Sequence, residues 1–116
     1  MKKGNIILEK SFNFALQIIE LYKQLITEKE FVLSKQLLRS GTSIGANVEE
    51  ATAAVSKKDF TAKMSIASKE ARETRYWIRL LDKSKIVNID FNAHLNDIEQ
   101  LINILTAIVK TSQEKC

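Results

Sequence analysis

The chain has 116 residues, of which 45% are hydrophobic and 28% charged, with a formal net charge of +4. That length supports one core but not two independent ones, so a single domain over residues 1–116 is expected, and the composition excludes a disordered chain. With no proline and only three glycines, nothing punctuates the long periodic segments, which predicts a few long helices in place of many short strands.

The N-terminal stretch MKKGNIILEKSF has an apolar run only from Ile6 to Leu8 before Glu9 and Lys10 interrupt it. A signal peptide needs a longer run and a membrane span needs about 20 apolar residues, so neither is expected. The first helix is predicted from Ile6 to Thr27. One seam follows Leu8, Phe12, Ala15, Ile19, Tyr22 and Ile26, and a second follows Ile7, Phe14, Ile18, Leu21 and Leu25. Together they cover an arc of roughly 200°, wider than a peripheral bundle helix needs. Glu28 to Glu30 read as a charged turn.

The second helix is predicted from Phe31 to Val55 and contains QLLRSGTSIGANVEEA. Leu37, Gly41, Ile44, Val48 and Ala51 recur at four-three spacing, the pattern of a seam buried lengthwise against other helices. Gln36, Ser40, Ser43, Asn47 and Glu50 form an entirely polar row about 80° round the helix. Gly41 and Gly45 each weaken the helix by about 1 kcal/mol relative to alanine, which implies close packing there. Ser40, Ser43 and Asn47 are expected to bond to the third helix, and Arg39 and Glu50 to reach its charged residues or a neighbouring subunit.

Ser56, with Asp59 three residues on, reads as a capping box that starts the third helix. That helix is predicted to run to Asp82, with Phe60, Met64, Ala67, Ala71, Thr74, Ile78 and Leu81 as its seam. Lys83 to Asn88 form a connector, and Asp90 is the expected N-cap of a fourth helix. Its seam is Phe91, Leu95, Ile98, Ile102, Leu105 and Val109, with Leu101, Ile104 and Ile108 beside it. Four helices joined by connectors too short for crossovers predict an all-α, up-down-up-down antiparallel four-helix bundle.

Tyr76, Trp77 and Leu80 lie about 90–180° from the third seam. Three bulky groups in that position, together with the double seams of the first and fourth helices, predict a protein–protein interface, most economically with further copies of the chain. The alternative is that Trp77 wedges between two helices of one bundle.

Charge is concentrated on the third helix: nine basic and four acidic residues lie between Lys57 and Lys85, and three of the four arginines are there. Arg72, Arg75 and Arg79 share one face, and with the Lys57-Lys58 loop they are candidates for contacting nucleic-acid phosphates, with Tyr76 available for stacking. The competing reading pairs the arginines with Glu49, Glu50 or Glu73.

No enzyme is expected. His94, the single histidine, sits beside the fourth seam three residues before Asp97 and reads as a hydrogen-bonded residue at the bundle edge. The seams are too apolar for a di-metal site, Ser40 and Ser43 have no visible base, and no phosphate loop is present, so neither a metal nor a cofactor is expected. A lone Cys116 cannot form an internal disulfide, which makes a reducing cytoplasm the expected compartment.

LLRSGTSIGANVEEA on the second helix, followed by DFTAKMSIASKEARETRYWIRLL on the third, resembles the four-helix bundle proteins encoded by intervening sequences within bacterial 23S ribosomal RNA genes. The resemblance covers nearly the whole chain. It implies a ring-like homo-oligomer, typically a pentamer, and kinship with the accessory protein of diversity-generating retroelements, a basic pentameric barrel that binds nucleic acid and its reverse transcriptase. The recurrent positions it carries over are Arg39, Ser40, Ser43, Ile44, Asn47 and Glu50, with Glu73, Arg75, Tyr76 and Trp77. Two functions follow as expectations: an oligomeric accessory protein that binds RNA or a nucleoprotein, or a homo-oligomeric scaffold whose arginines are consumed in ion pairs.

Overall fold

The computed structural model describes residues 2–114, so the expectation placed on Cys116 lies outside the described residues. Four helices account for almost all of it: α1 (Lys2–Thr27), α2 (Leu33–Thr52), α3 (Lys57–Ser84) and α4 (Asn92–Glu114). Side-chain pairing sets their directions. From Ser40–Thr74 to Glu50–Lys63 the position rises along α2 and falls along α3, and the same inversion relates Thr61–Ser112 to Arg75–Glu99 across α3 and α4. Gly41 faces Ile18 while Gly45 faces Ser11, so α1 and α2 are antiparallel too. The result is an up-down-up-down bundle of 46 × 21 × 21 Å, in which α1 returns to close against α4.

Each helix boundary has a local cause. α1 ends with Lys29 in the left-handed region (φ 66°), which lets Lys29 N and Glu30 N donate to the carbonyls of Ile26 and Leu25, a C-terminal motif usually made by glycine. Glu30 is not a solvated turn residue. It is buried, and its carboxylate accepts from the backbone N–H groups of Val32, Leu33 and Ser34, satisfying the otherwise unpaired donors at the start of α2. Ser56 caps α3 as expected, its hydroxyl accepting from Asp59 N at 3.0 Å, while the Asp59 carboxylate accepts from Val55 N. Lys85, again left-handed at φ 57°, ends α3. Asp90 accepts from Asn92 N and so acts at the start of α4.

The expected α2 seam is buried throughout, and the α3 seam is buried from Met64 to Leu81. On α1 the core row is the second of the two seams, Ile7, Phe14, Ile18, Leu21 and Leu25, whereas on the first Phe12 is 63% and Ile19 39% exposed. The second row of α4 is absorbed by the bundle: Leu101 is buried, and Ile104 and Ile108 pack against the core. An unspent apolar face therefore remains on α1 and not on α4.

Candidate nucleic-acid interface

At 100° per residue, Lys58, Lys69, Arg72, Tyr76, Arg79 and Lys83 fall within about 80° of one another on α3, centred opposite its buried seam. All six are exposed. The acidic residues of α3 are turned away from this face. Asp59 is engaged at the helix start, and Glu70 and Glu73 face α2, where both accept from Arg39. Asp82, one residue before Lys83, lies about 100° round from it. The outward face of α3 is thus cationic along its length with no carboxylate on it.

The expected cations behave differently from one another. Lys57 and Lys58 are both exposed at the start of α3. Arg72 donates to Thr106 Oγ1 at 3.0 Å, a neutral partner that leaves its charge unbalanced. Arg75 is spent, because its guanidinium donates to both carboxylate oxygens of Glu99 at 3.0 and 3.2 Å. Arg79 has no side-chain partner among the described residues. None of the pairings that the competing reading offered, of Arg72, Arg75 and Arg79 with Glu49, Glu50 or Glu73, forms among the described residues; instead Arg39 holds Glu70 and Glu73, Lys63 holds Glu50 at 2.9 Å, and Arg75 holds Glu99. Lys69 and Lys83 complete the face and were not singled out in sequence. Their heptad spacing with Tyr76 is the signal that places all three on one side of the helix.

Of the three bulky residues on α3, Trp77 is only partly buried but packs against the core, and its indole N–H donates to Glu73 Oε2 at 2.9 Å. Tyr76 is 53% exposed and stands edge-on to Trp77, with ring centroids 5.1 Å apart. Leu80 is half-buried. Hydrogen bonds from Arg39 and then from Trp77 hold the Glu73 carboxyl below its ordinary range, and the same pairing raises the Arg39 guanidinium.

The sequence profile of the 23S rRNA-intervening sequence proteins matches residues 3–107. The chain belongs to this family. A crystal structure of a protein of unknown function from the S23 ribosomal protein family of Bacteroides thetaiotaomicron superposes with a TM-score of 0.88 at 46% identity, covering 93% of this chain and 98% of that one. No curated protein matches the chain.

The positions that the resemblance to 23S rRNA-intervening sequence proteins picked out on α2 divide into two kinds. Ser40 is buried, with its hydroxyl 2.8 Å from Thr74 Oγ1 on α3, and Arg39 and Glu50 reach Glu73 and Lys63. Ser43 and Asn47 do not reach across: Ser43 Oγ donates to Arg39 O, and Asn47 Nδ2 donates to Ser43 O. On a helix the carbonyl four residues back is always within reach, so these short polar side chains close on their own backbone.

His94 is not hydrogen-bonded as expected; its Nδ1 is buried without a partner, the ring meets Phe91 edge-on, and burial lowers its basicity against the opposing pull of Asp97 and Asp90. Among the described residues no group of three histidine, cysteine, aspartate or glutamate side chains is placed to hold a metal. Among the described residues no helix is long and apolar enough to cross a membrane.

Proposed function

We propose that this 23S rRNA-intervening sequence protein is a non-catalytic homo-oligomeric bundle that binds RNA, or a nucleoprotein containing it, along the outward face of α3. The observation that carries this reading is the row Lys58, Lys69, Arg72, Arg79 and Lys83 with no carboxylate on the same face, while Glu70 and Glu73 of that helix are engaged by Arg39 from α2. A cationic stripe of this kind releases counterions when it meets a phosphate backbone. The exposed row of α1, with Phe12 63% and Leu16 50% exposed, supports self-association through the face opposite α3, which leaves the basic faces of a ring outward. The ring of five that the family resemblance implies would repeat the stripe in every subunit.

The test is titration of fluorescent RNA at increasing salt with wild-type protein and the Lys58→Gln/Arg79→Gln/Lys83→Gln variant. Binding with a log–log salt slope that falls by about 0.7–0.9 for each neutralised cation is expected. No binding by the wild type at low ionic strength sinks the reading. Sedimentation equilibrium of Phe12→Ser/Leu16→Ser tests the assembly, a smaller particle than wild type being the expected result.

The scaffold reading is favoured by one observation, the Arg75–Glu99 ion pair, in which Nη1 donates to both carboxylate oxygens and so occupies one of the arginines that the sequence offered to phosphate. It predicts a stable oligomer that ignores RNA at every salt concentration.

A further inference from the structure

Between α3 and α4 runs a groove of about 290 Å³ whose polar lining is entirely free of carboxylates. Lys69 and Arg72 on one side face Lys110 on the other, and Ser65, Ser68 and Thr106 add hydroxyls between them. The groove is not a leftover of ion pairing. Lys69 and Lys110 meet no carboxylate among the described residues, and the Ser65 and Ser68 hydroxyls have no partner there, although a helical serine ordinarily bonds back to its own backbone. Arg72 gives one of its five N–H groups to Thr106 Oγ1, which fixes the guanidinium at the groove and leaves the others available. Three unbalanced cations and several free hydroxyl donors around one concavity suit a phosphate group, which accepts from both.

One turn further along α3 from Arg72, and outside the groove lining, Tyr76 projects from the same helix face as Lys69 and Arg72. Its ring is braced edge-on by Trp77, which is itself tied to Glu73, so a half-exposed aromatic is presented in a fixed attitude. A cationic seat beside a braced aromatic matches a sugar-phosphate with its own unstacked base, the combination that single-strand binders use. At about 290 Å³ the groove falls just below the range of about 300–1,000 Å³ usual for ligand sites, a volume that suits one backbone unit.

We infer that the α3–α4 groove is a single-stranded RNA subsite, in which Lys69, Arg72 and Lys110 hold a phosphodiester and Tyr76 stacks the adjacent base. This rests on the reading of α3 as an RNA-binding face and adds to it a strand preference and a fixed register.

The experiment measures fluorescence anisotropy of a labelled single-stranded RNA and of the same RNA annealed to its complement, with four proteins: wild type, Tyr76→Ala, Tyr76→Phe and Lys69→Gln/Lys110→Gln. The side chains replaced are exposed, so helicity and melting temperature serve as controls expected to stay unchanged. The expected result is tighter binding of the single strand, a loss of about tenfold or more for Tyr76→Ala on the single strand only, and retention in Tyr76→Phe. Lys69→Gln/Lys110→Gln should lower the single-strand salt slope by about 0.7 for each lysine. If Tyr76→Ala and Lys69→Gln/Lys110→Gln bind like wild type while Lys58→Gln/Arg79→Gln/Lys83→Gln does not, the groove is overturned and the basic face stands. If wild type prefers the duplex, the groove is likewise overturned. If wild type binds neither RNA, both proposals fall together.

Discussion

Gly41→Ala separates close helix packing from helix propensity, which act in opposite directions at this position. Alanine would improve α2 by about 1 kcal/mol on propensity alone. A Cβ at residue 41 would, however, lie 2.9 Å from both Ile18 Cγ1 and Cγ2 and 3.3 Å from Ile18 Cβ. These are the branch-point atoms of a fully buried β-branched side chain, which has no rotamer that moves them all aside. The axes of α1 and α2 must therefore separate, and the overpacking loss belongs at the upper end of about 1–3 kcal/mol. After the propensity gain the net loss is about 1–2 kcal/mol, or roughly 4–8 °C in Tm for a chain of this length. Thermal unfolding followed by circular dichroism at one fixed protein concentration reads it, because any self-association would make Tm concentration-dependent. Ile18→Ala alone should cost about 2–5 kcal/mol, and the double variant should fall short of additivity by about 1 kcal/mol or more, since the new methyl enters space the old side chain vacated. A Gly41→Ala protein that melts at or above the wild-type temperature would refute the packing argument.

Thr74→Val should lose about 1–2 kcal/mol by leaving the buried Ser40 hydroxyl only a long 3.5 Å bond to Leu37 O, and adding Ser40→Ala should restore part of it, as a double-mutant cycle in urea will show. His94 has a depressed folded-state basicity because burial outweighs Asp97 and Asp90, so the unfolded chain takes up the proton first. The stability held above an unfolded value of about 6.5 is then lost as pH falls through the lower folded value. Melting temperatures should therefore fall more steeply below that pH in wild type than in His94→Gln; parallel curves would show the histidine to be solvated. Lys29→Gly and Lys85→Gly, at φ 66° and 57°, should each gain about 0.5–1 kcal/mol because glycine adopts that conformation without a Cβ clash, and unchanged denaturation midpoints would show the strain to be absent.

The α2 seam was legible in the sequence because one apolar row stands beside one polar row and only a single orientation buries it. On α1 two apolar rows adjoin, so periodicity supplies no edge between core and outside; which row is buried depends on where α2 and α4 sit. The polar row of α2 was legible as polar, but the partners of Ser43 and Asn47 were not, since a side chain that can reach a neighbour can also reach its own backbone. At the α3 face the cations were plain, whereas their freedom was not. Arg75 loses its charge to Glu99 only because the α3–α4 register brings residues far apart in the chain to 3.0 Å. The groove beside Lys69 and Arg72 likewise needs Lys110 from the other helix, and no local pattern announces that meeting.

The α1–α4 junction sets how the bundle comes together in time. The three extensive contacts all join helices adjacent in the chain across short connectors, so each is a hairpin with little loop entropy to overcome. Of the helix pairs in contact, α1 and α4 touch least, and their junction holds a groove with Lys10, Asn13, Gln17, Asp97 and Gln100 over the buried Phe14 and Leu101, and one 3.5 Å hydrogen bond from Lys10 to Gln100 across it. The contact that closes the longest stretch of chain is therefore also the smallest of the four. Amide exchange is therefore expected to be faster on the α1 and α4 flanks that face each other than at the α2–α3 contact, and equal protection at both would refute this. A crosslink placed there would slow opening more than the same crosslink between any two helices adjacent in the chain.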